Sequence, residues 1–230
     1  MSFTQYSQFL SQHRLSTNQN QTAVVREVGV RIQQAVEKYM ADNNMSERIR
    51  DFRWEFNLVD DKQVNAFCMP GGKVVIYTGI MPVCQDATGL AVVMGHEIAH
   101  AIAEHGNERM SQTMLANGLL TVGGAVVQSR NPSLQNQLLL QAAGVVTNLG
   151  MLSFSRSHES EADKIGLIFS SMAGYDPREA PRFWQRMAQA GGGQQPPEFL
   201  STHPSHERRI NDLEAMIPDA MKYYESGIRK

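Results

Sequence analysis

The sequence predicts a predominantly helical α+β fold built as one domain. Three observations carry that expectation. Apolar residues recur at helical spacing over most of the chain, residues 52–78 alternate like short strands around a Pro70-Gly71-Gly72 turn, and no repeat or linker divides the 230 residues. A chain of this length buries a sizeable core without cross-links.

The elements follow in order. Residues 1–20 are polar and rich in Gln, Ser and Asn, which predicts a frayed arm or a loosely docked helix ahead of a single domain over 21–230. From Thr22, the positions Val24, Val25, Val28, Ile32, Val36 and Tyr39 mark an amphipathic helix that ends near Asn43. FRWEFNLV (52–59) reads as a half-buried strand, and Val64–Met69 and Lys73–Thr78 flank the Pro-Gly-Gly turn. Leu90, Val93, Met94, Glu97, Ala101 and Glu104 keep a helical repeat, so Asp86–Met114 reads as one long helix. Two apolar stretches, 113–127 and 137–152, fall short of the roughly 20 residues a bilayer span needs and carry Gly, Asn or Thr. They are expected to pack as core helices, leaving the chain without a transmembrane span. Helices over 155–173 and 179–190 are separated by Tyr175-Asp176-Pro177, and a loop at 191–197 precedes a last amphipathic helix behind Pro204.

Composition excludes some functions. Hydrophobic residues at 42% and charged residues at 19% suit a globular chain. A net charge of −2 and a pI near 6.4 make no electrostatic case for nucleic acid or an anionic membrane. The Arg208–Arg209 pair reads as a solvated helix face. Cys68 and Cys84 leave two states open, one disulfide or two thiols. The start has neither a basic n-region nor an apolar h-region, which fits a cytoplasmic start or an export signal already removed.

The chemistry lies in HEIAH, His96 to His100. Residues four apart on a helix share a face, about 40° from eclipsed. His96 and His100 therefore offer two imidazoles to one point, as a tetrahedral zinc ion requires. Glu97 is placed to serve as general base toward a water at that ion. Three ionisable groups among Val92, Val93 and Ile98 are costly unless something pairs them. Two protein ligands are too few. His105, five residues beyond His100, is rotated about 140° from it on an ideal helix and is expected on a polar face. SRSHESEADKIG (155–166) is the better source: Glu159 and Asp163 share a face four residues apart, while Glu161 points nearly opposite and His158 lies off that face. One of the two carboxylates is expected on zinc and the other on the far nitrogen of a ligating histidine.

HEIAHAIAEHGNERM followed by SRSHESEADKIG resembles the M48 family of gluzincin metallopeptidases, over about Val64 to Leu213. The resemblance implies a zincin-like fold with a small β-sheet packed on the HExxH helix and one Zn2+ per chain. It implies Glu159 as the third zinc ligand after His96 and His100, with Asp163 as its partner carboxylate. It further implies a substrate-binding strand at Asn65-Ala66-Phe67, and an approach of His203 to the zinc, covering it or stabilising the tetrahedral intermediate. His206 is expected at the surface. The short apolar stretches point to the soluble, Oma-like or BepA-like branch. That branch implies a zinc endopeptidase acting on misfolded or misassembled polypeptides of the bacterial periplasm or cell envelope, with an export signal or lipid anchor outside this sequence. A zinc-containing chaperone or assembly factor that binds extended chains with little proteolysis is the alternative. Substrate identity and oligomeric state are not encoded legibly.

Overall fold

The computed structural model describes residues 3–109, 111, 154–191, 197–204 and 207–227. The apolar stretches 113–127 and 137–152, His206 and most of the 191–197 loop lie outside them. Among the described residues, no helix is long and apolar enough to cross a membrane.

The described chain runs α1 (Phe3–Gln12), α2 (Gln19–Asp42), β1 (Glu55–Val59), β2 (Ala66–Met69), β3 (Lys73–Tyr77), α3 (Met81–Cys84) and α4 (Ala87–Ile102). After the undescribed segment come α5 (Arg156–Met172), α6 (Glu179–Ala190), α7 (Glu198–Thr202) and α8 (Glu207–Ser226). It is a predominantly helical fold with one small mixed sheet, as the sequence predicts.

The sheet order is β1-β3-β2, with β3 parallel to β1 and antiparallel to β2. Gly71 and Gly72 make the turn into β3 at φ 85° and 78°, a region where a side chain would be strained. Being central, β3 is buried at every position, which explains its continuous apolar run. Its one charged residue, Lys73, donates to the Arg53 carbonyl and the Glu55 carboxylate. Alternation divides the sheet into two faces. Phe56, Leu58, Ala66, Val74 and Ile76 join the main core under α2 and α4, whereas Val59, Val75 and Tyr77 face the other way.

That second face is covered by α1. Tyr6 is buried there, Phe9 meets Phe67 edge-on at 5.2 Å, and the Tyr6 hydroxyl accepts from Asn57 Nδ2 at 2.6 Å. The polar start is therefore a helix with one apolar edge seated on the sheet. The chain behind it closes the β1 edge: Ser16 N donates to the Leu58 carbonyl, and Leu15 bridges Val59. The strand itself begins later than expected, at Glu55, with Phe52 and Trp54 lying against the Gly72 turn.

The central element is α4. Asp86 caps it, its carboxylate accepting from the Thr88 and Gly89 amides, and residues 89–100 are buried on all sides. The expected run to Met114 does not occur. The helix stops at Ile102, Glu104 takes φ 58°, and residues 105–109 turn helically again beyond that break. α5 crosses α4 at a glycine pair: a Cβ on Gly166 would lie 2.7 Å from the His96 amide nitrogen, and one on Gly95 would lie 2.8 Å from the Gly166 carbonyl. Only this bare contact lets the two backbones come so close. Cys68 and Cys84 are both free thiols, which decides between the two open states.

Candidate metal centre

Three segments meet at the crossing. α4 supplies His96, Glu97 and His100 from its second half. α5 supplies Glu159 in its first turn and Asp163 one turn on, held by the Ser155 cap on the His158 amide. The loop behind α7 supplies His203. All these side chains are buried.

The donor atoms converge. His96 Nε2 lies 3.1 Å from His100 Nε2 and 3.6 Å from Glu159 Oε2, and His100 Nε2 lies 3.3 Å from Glu159 Oε1. His203 Nδ1 stands 3.3 Å from His96 Nε2 and 2.9 Å from Glu159 Oε1. Four ligand atoms, one each from His96, His100, Glu159 and His203, lie within 4.8 Å of one another. Ligands on a tetrahedral zinc at 2.0–2.1 Å stand about 3.3–3.4 Å apart, so these separations fit that ion. The donor chemistry fits it too. The far nitrogen of His96 faces the Asp163 carboxylate at 3.0 Å, which leaves Nε2 as the atom this ring turns to the cluster, and His100 turns its own Nε2 to the same point.

Glu97 completes the arrangement. Its Oε1 is buried without a hydrogen bond among the described residues, with His203 Nε2 at 3.4 Å but not aligned with it. A bare carboxylate oxygen beside the donor cluster is free to accept a proton.

The electrostatics separate groups of the same type. Burial and the charge of Arg209 push the His96 pKa down, yet hydrogen bonds to Asp163 and Glu159 outweigh them and raise it to about 9. Burial holds His100 well below the ordinary histidine value. Burial also raises Glu97. Burial opposes ionisation of Glu159, but hydrogen bonds with His100, His203 and His96 bring its carboxyl far below the usual range. In Asp163 burial is likewise overcome, chiefly by the charge of Arg209.

Arg209 corrects the sequence reading of a solvated Arg208–Arg209 face. Arg208 is exposed beside Asp212, whereas Arg209 is buried. Its Nε and Nη2 donate to the two Asp163 oxygens, each at 2.6 Å, and its Nη1 lies 2.6 Å from Glu159 Oε2. Its guanidinium carbon sits 3.3 Å over the Trp184 ring. The signal was present in the sequence: Arg209 stands four residues before Leu213 on the stripe that continues through Met216 and Ala220.

His105 is the second correction. The break at Glu104 undoes the ideal-helix rotation and returns the ring to the site. It is buried, with Nδ1 2.9 Å from His100 Nδ1 and Nε2 3.3 Å from Glu161 Oε2. Glu161 does point away from Glu159, but toward His105 rather than into solvent alone. His158 is buried as well and stacks on His105 at 4.5 Å.

The 65–67 segment divides. Asn65 precedes the strand, its carbonyl accepting from the Tyr77 amide, and Ala66 faces the main core beside α4. Phe67 turns to the opposite face, under Phe9.

A glutamate between two helix-borne histidines, completed by a carboxylate from a second helix, defines a metallopeptidase of the gluzincin kind. Residues 29–217 match the model of Peptidase family M48, and the chain belongs to that family. It is 36% identical over 198 residues to the mitochondrial metalloendopeptidase OMA1 of Schizosaccharomyces pombe, covering 85% of this chain and 55% of that protein. It is 34% identical over 184 residues to the human mitochondrial metalloendopeptidase OMA1 (77% of this chain, 35% of that one). Against the Escherichia coli beta-barrel assembly-enhancing protease it is 32% identical over 162 residues (69% and 33%). The chain thus spans about half the length of the fungal relative and about a third of the other two.

Proposed function

We propose that this chain is a zinc-dependent endopeptidase of the Oma-like and BepA-like branch, holding one Zn2+ on His96, His100 and Glu159. The observation that carries the reading is the convergence of those three donors beside the unbonded carboxylate oxygen of Glu97. Bound there, zinc would polarise the scissile carbonyl and lower the pKa of the attacking water. Glu97 takes the proton of that water and later hands it to the leaving amine. Its raised pKa suits both halves of the task, since a weaker acid is a better base. Asp163 accepts from His96 and fixes its tautomer, and Arg209 holds Asp163 in turn.

The substrate is an extended polypeptide added to the β2 edge. The β1 edge is closed by residues 14–16, and β2 pairs with no further strand among the described residues while packing against α4. Backbone pairing there would give little sequence preference. That suits misfolded or misassembled proteins of the cell envelope, a substrate class in keeping with an Escherichia coli relative named for enhancing β-barrel assembly.

In the resting state His203 covers the fourth position, sandwiched by Phe199 and Phe154 at ring distances of 4.6 and 5.1 Å. That contact also favours a second reading, a zinc-containing assembly factor that holds chains and seldom cuts them. Glu97→Gln tests both. Cleavage of an unfolded casein should vanish with zinc retained at one per chain, and cleavage that persists would overturn the role of Glu97. Protection of an unfolded chain by the variant, with no turnover by the wild type, would support the second reading.

A further inference from the structure

The two helix-borne histidines do not have the same support. His96 is backed directly by a carboxylate, Asp163. His100 is backed by a second imidazole, whose other nitrogen reaches Glu161. We infer that the His105–Glu161 pair is a positioning relay that fixes the tautomer and ring plane of His100 for metal binding; the inference rests on the zinc reading above.

The proton assignment follows from the geometry. If Nε2 of His100 presents its lone pair to the donor cluster, its Nδ1 carries the hydrogen and must donate. The atom facing it, at 2.9 Å, is His105 Nδ1, which must then accept. A neutral imidazole that accepts at Nδ1 donates at Nε2, and that nitrogen faces Glu161 Oε2 at 3.3 Å. One direction of donation runs through the whole chain, from His100 to His105 to Glu161. The His105 ring is itself held in place. His158 stacks on it with planes 20° apart, and His158 Nε2 reaches Glu108 at 3.2 Å. The Glu161 side chain is exposed (57%), so substituting it disturbs no core packing.

A ligand whose supporting partner is removed typically loses about 10- to 100-fold in metal affinity. The test compares Zn2+ dissociation constants from competition with a chromophoric chelator, together with the ligand-field absorption of the Co2+-loaded protein. His105→Phe keeps a flat ring against His158 but has no acceptor, so affinity should fall about 10- to 100-fold. His105→Asn places an amide oxygen near the Nδ1 position and should recover affinity to within about threefold of wild type, along with the wild-type Co2+ spectrum. Glu161→Met removes the acceptor that faces His105 Nε2 and should weaken binding by about three- to tenfold with no change in thermal unfolding of the metal-free protein. Equal affinities for the Phe and Asn variants, or a Phe variant within about twofold of wild type, would overturn the relay. If His105→Phe does not fold, Glu161→Met decides alone, and unchanged affinity there overturns it. A wild-type chain that binds no zinc would instead overturn the metal reading, which separates the two failures.

Discussion

Gly166→Ala adds one methyl group at the point on which the metal centre depends. The new Cβ would lie 2.7 Å from the His96 nitrogen, 2.8 Å from the Gly95 carbonyl carbon and 2.9 Å from its oxygen. All three are backbone atoms of α4, so no side chain can swing aside. Ordinary contact begins near 3.4 Å, and α5 must therefore retreat from α4 by about 0.7 Å. Overpacking of this kind costs about 1–3 kcal/mol, and exchanging Gly for Ala inside a helix returns about 1 kcal/mol. The net loss of stability is modest, about 0–2 kcal/mol.

The effect on metal binding should be far larger. Asp163 and Glu159 lie on α5, one and two turns before the crossing, and their bonds to His96 and His100 span 3.0 and 3.3 Å. Metal–ligand distances tolerate only about ±0.2 Å, so a shift of about 0.7 Å takes Glu159 out of range. We expect zinc affinity to fall by at least about 100-fold while the protein keeps its helical circular dichroism. Gly106→Ala is the control, since a Cβ there meets nothing within 4 Å although it lies nearer the motif in sequence. Wild-type zinc affinity in Gly166→Ala, measured by chelator competition, would refute the claim that this crossing sets the ligand distances.

Two further outcomes follow from the same geometry. Arg209→Met strands two buried carboxylates, a loss of about 3–5 kcal/mol at neutral pH by chemical denaturation of the metal-free protein. The pH dependence has a definite sign. Asp163 is held below its ordinary value, so it adds stability above the unfolded pKa of about 3.9, which is lost as pH falls through the lower folded value. Removing Arg209 should thus move the acid-unfolding midpoint upward, and an unchanged midpoint would contradict the pairing. Glu104→Gly relieves a left-handed residue at φ 58° and should raise stability by about 0.5–1 kcal/mol, with His105 kept in place and zinc affinity unchanged.

Much of the centre was legible in the sequence because it depends on spacing within single helices. His96 and His100 share a face of α4, and Glu159 and Asp163 share a face of α5; four-residue spacing alone requires both. The residues missed depend on something else. His105 could not be located without the positive φ of Glu104, because an unbroken helix carries it about 140° away. Glu161 then went unread, since its partner was misplaced. The seating of α1 turns on one tyrosine and its few apolar neighbours in an otherwise polar segment, too weak a pattern to choose between a frayed arm and a docked helix.

Arg209 explains why the last helix belongs to the site. Two carboxylates four residues apart on α5 point into one buried volume, and like charges so placed would each resist ionisation. A single guanidinium reaches both, at 2.6 Å to each. Its planar fork matches the Asp163 carboxylate with two parallel donors, which a lysine could not do. The Trp184 ring beneath fixes that plane, and Trp184 is itself fully buried on α6. The order of support is therefore Trp184 to Arg209 to Asp163 to His96, one link from each of four helices. Asp163 is left ionised to accept from His96, and Glu159 is left ionised to face the metal donors. The charge that holds Asp163 ionised comes from α8 and not from α4 or α5, so the carboxylate behind His96 is set only when α6 and α8 have packed behind the two motifs.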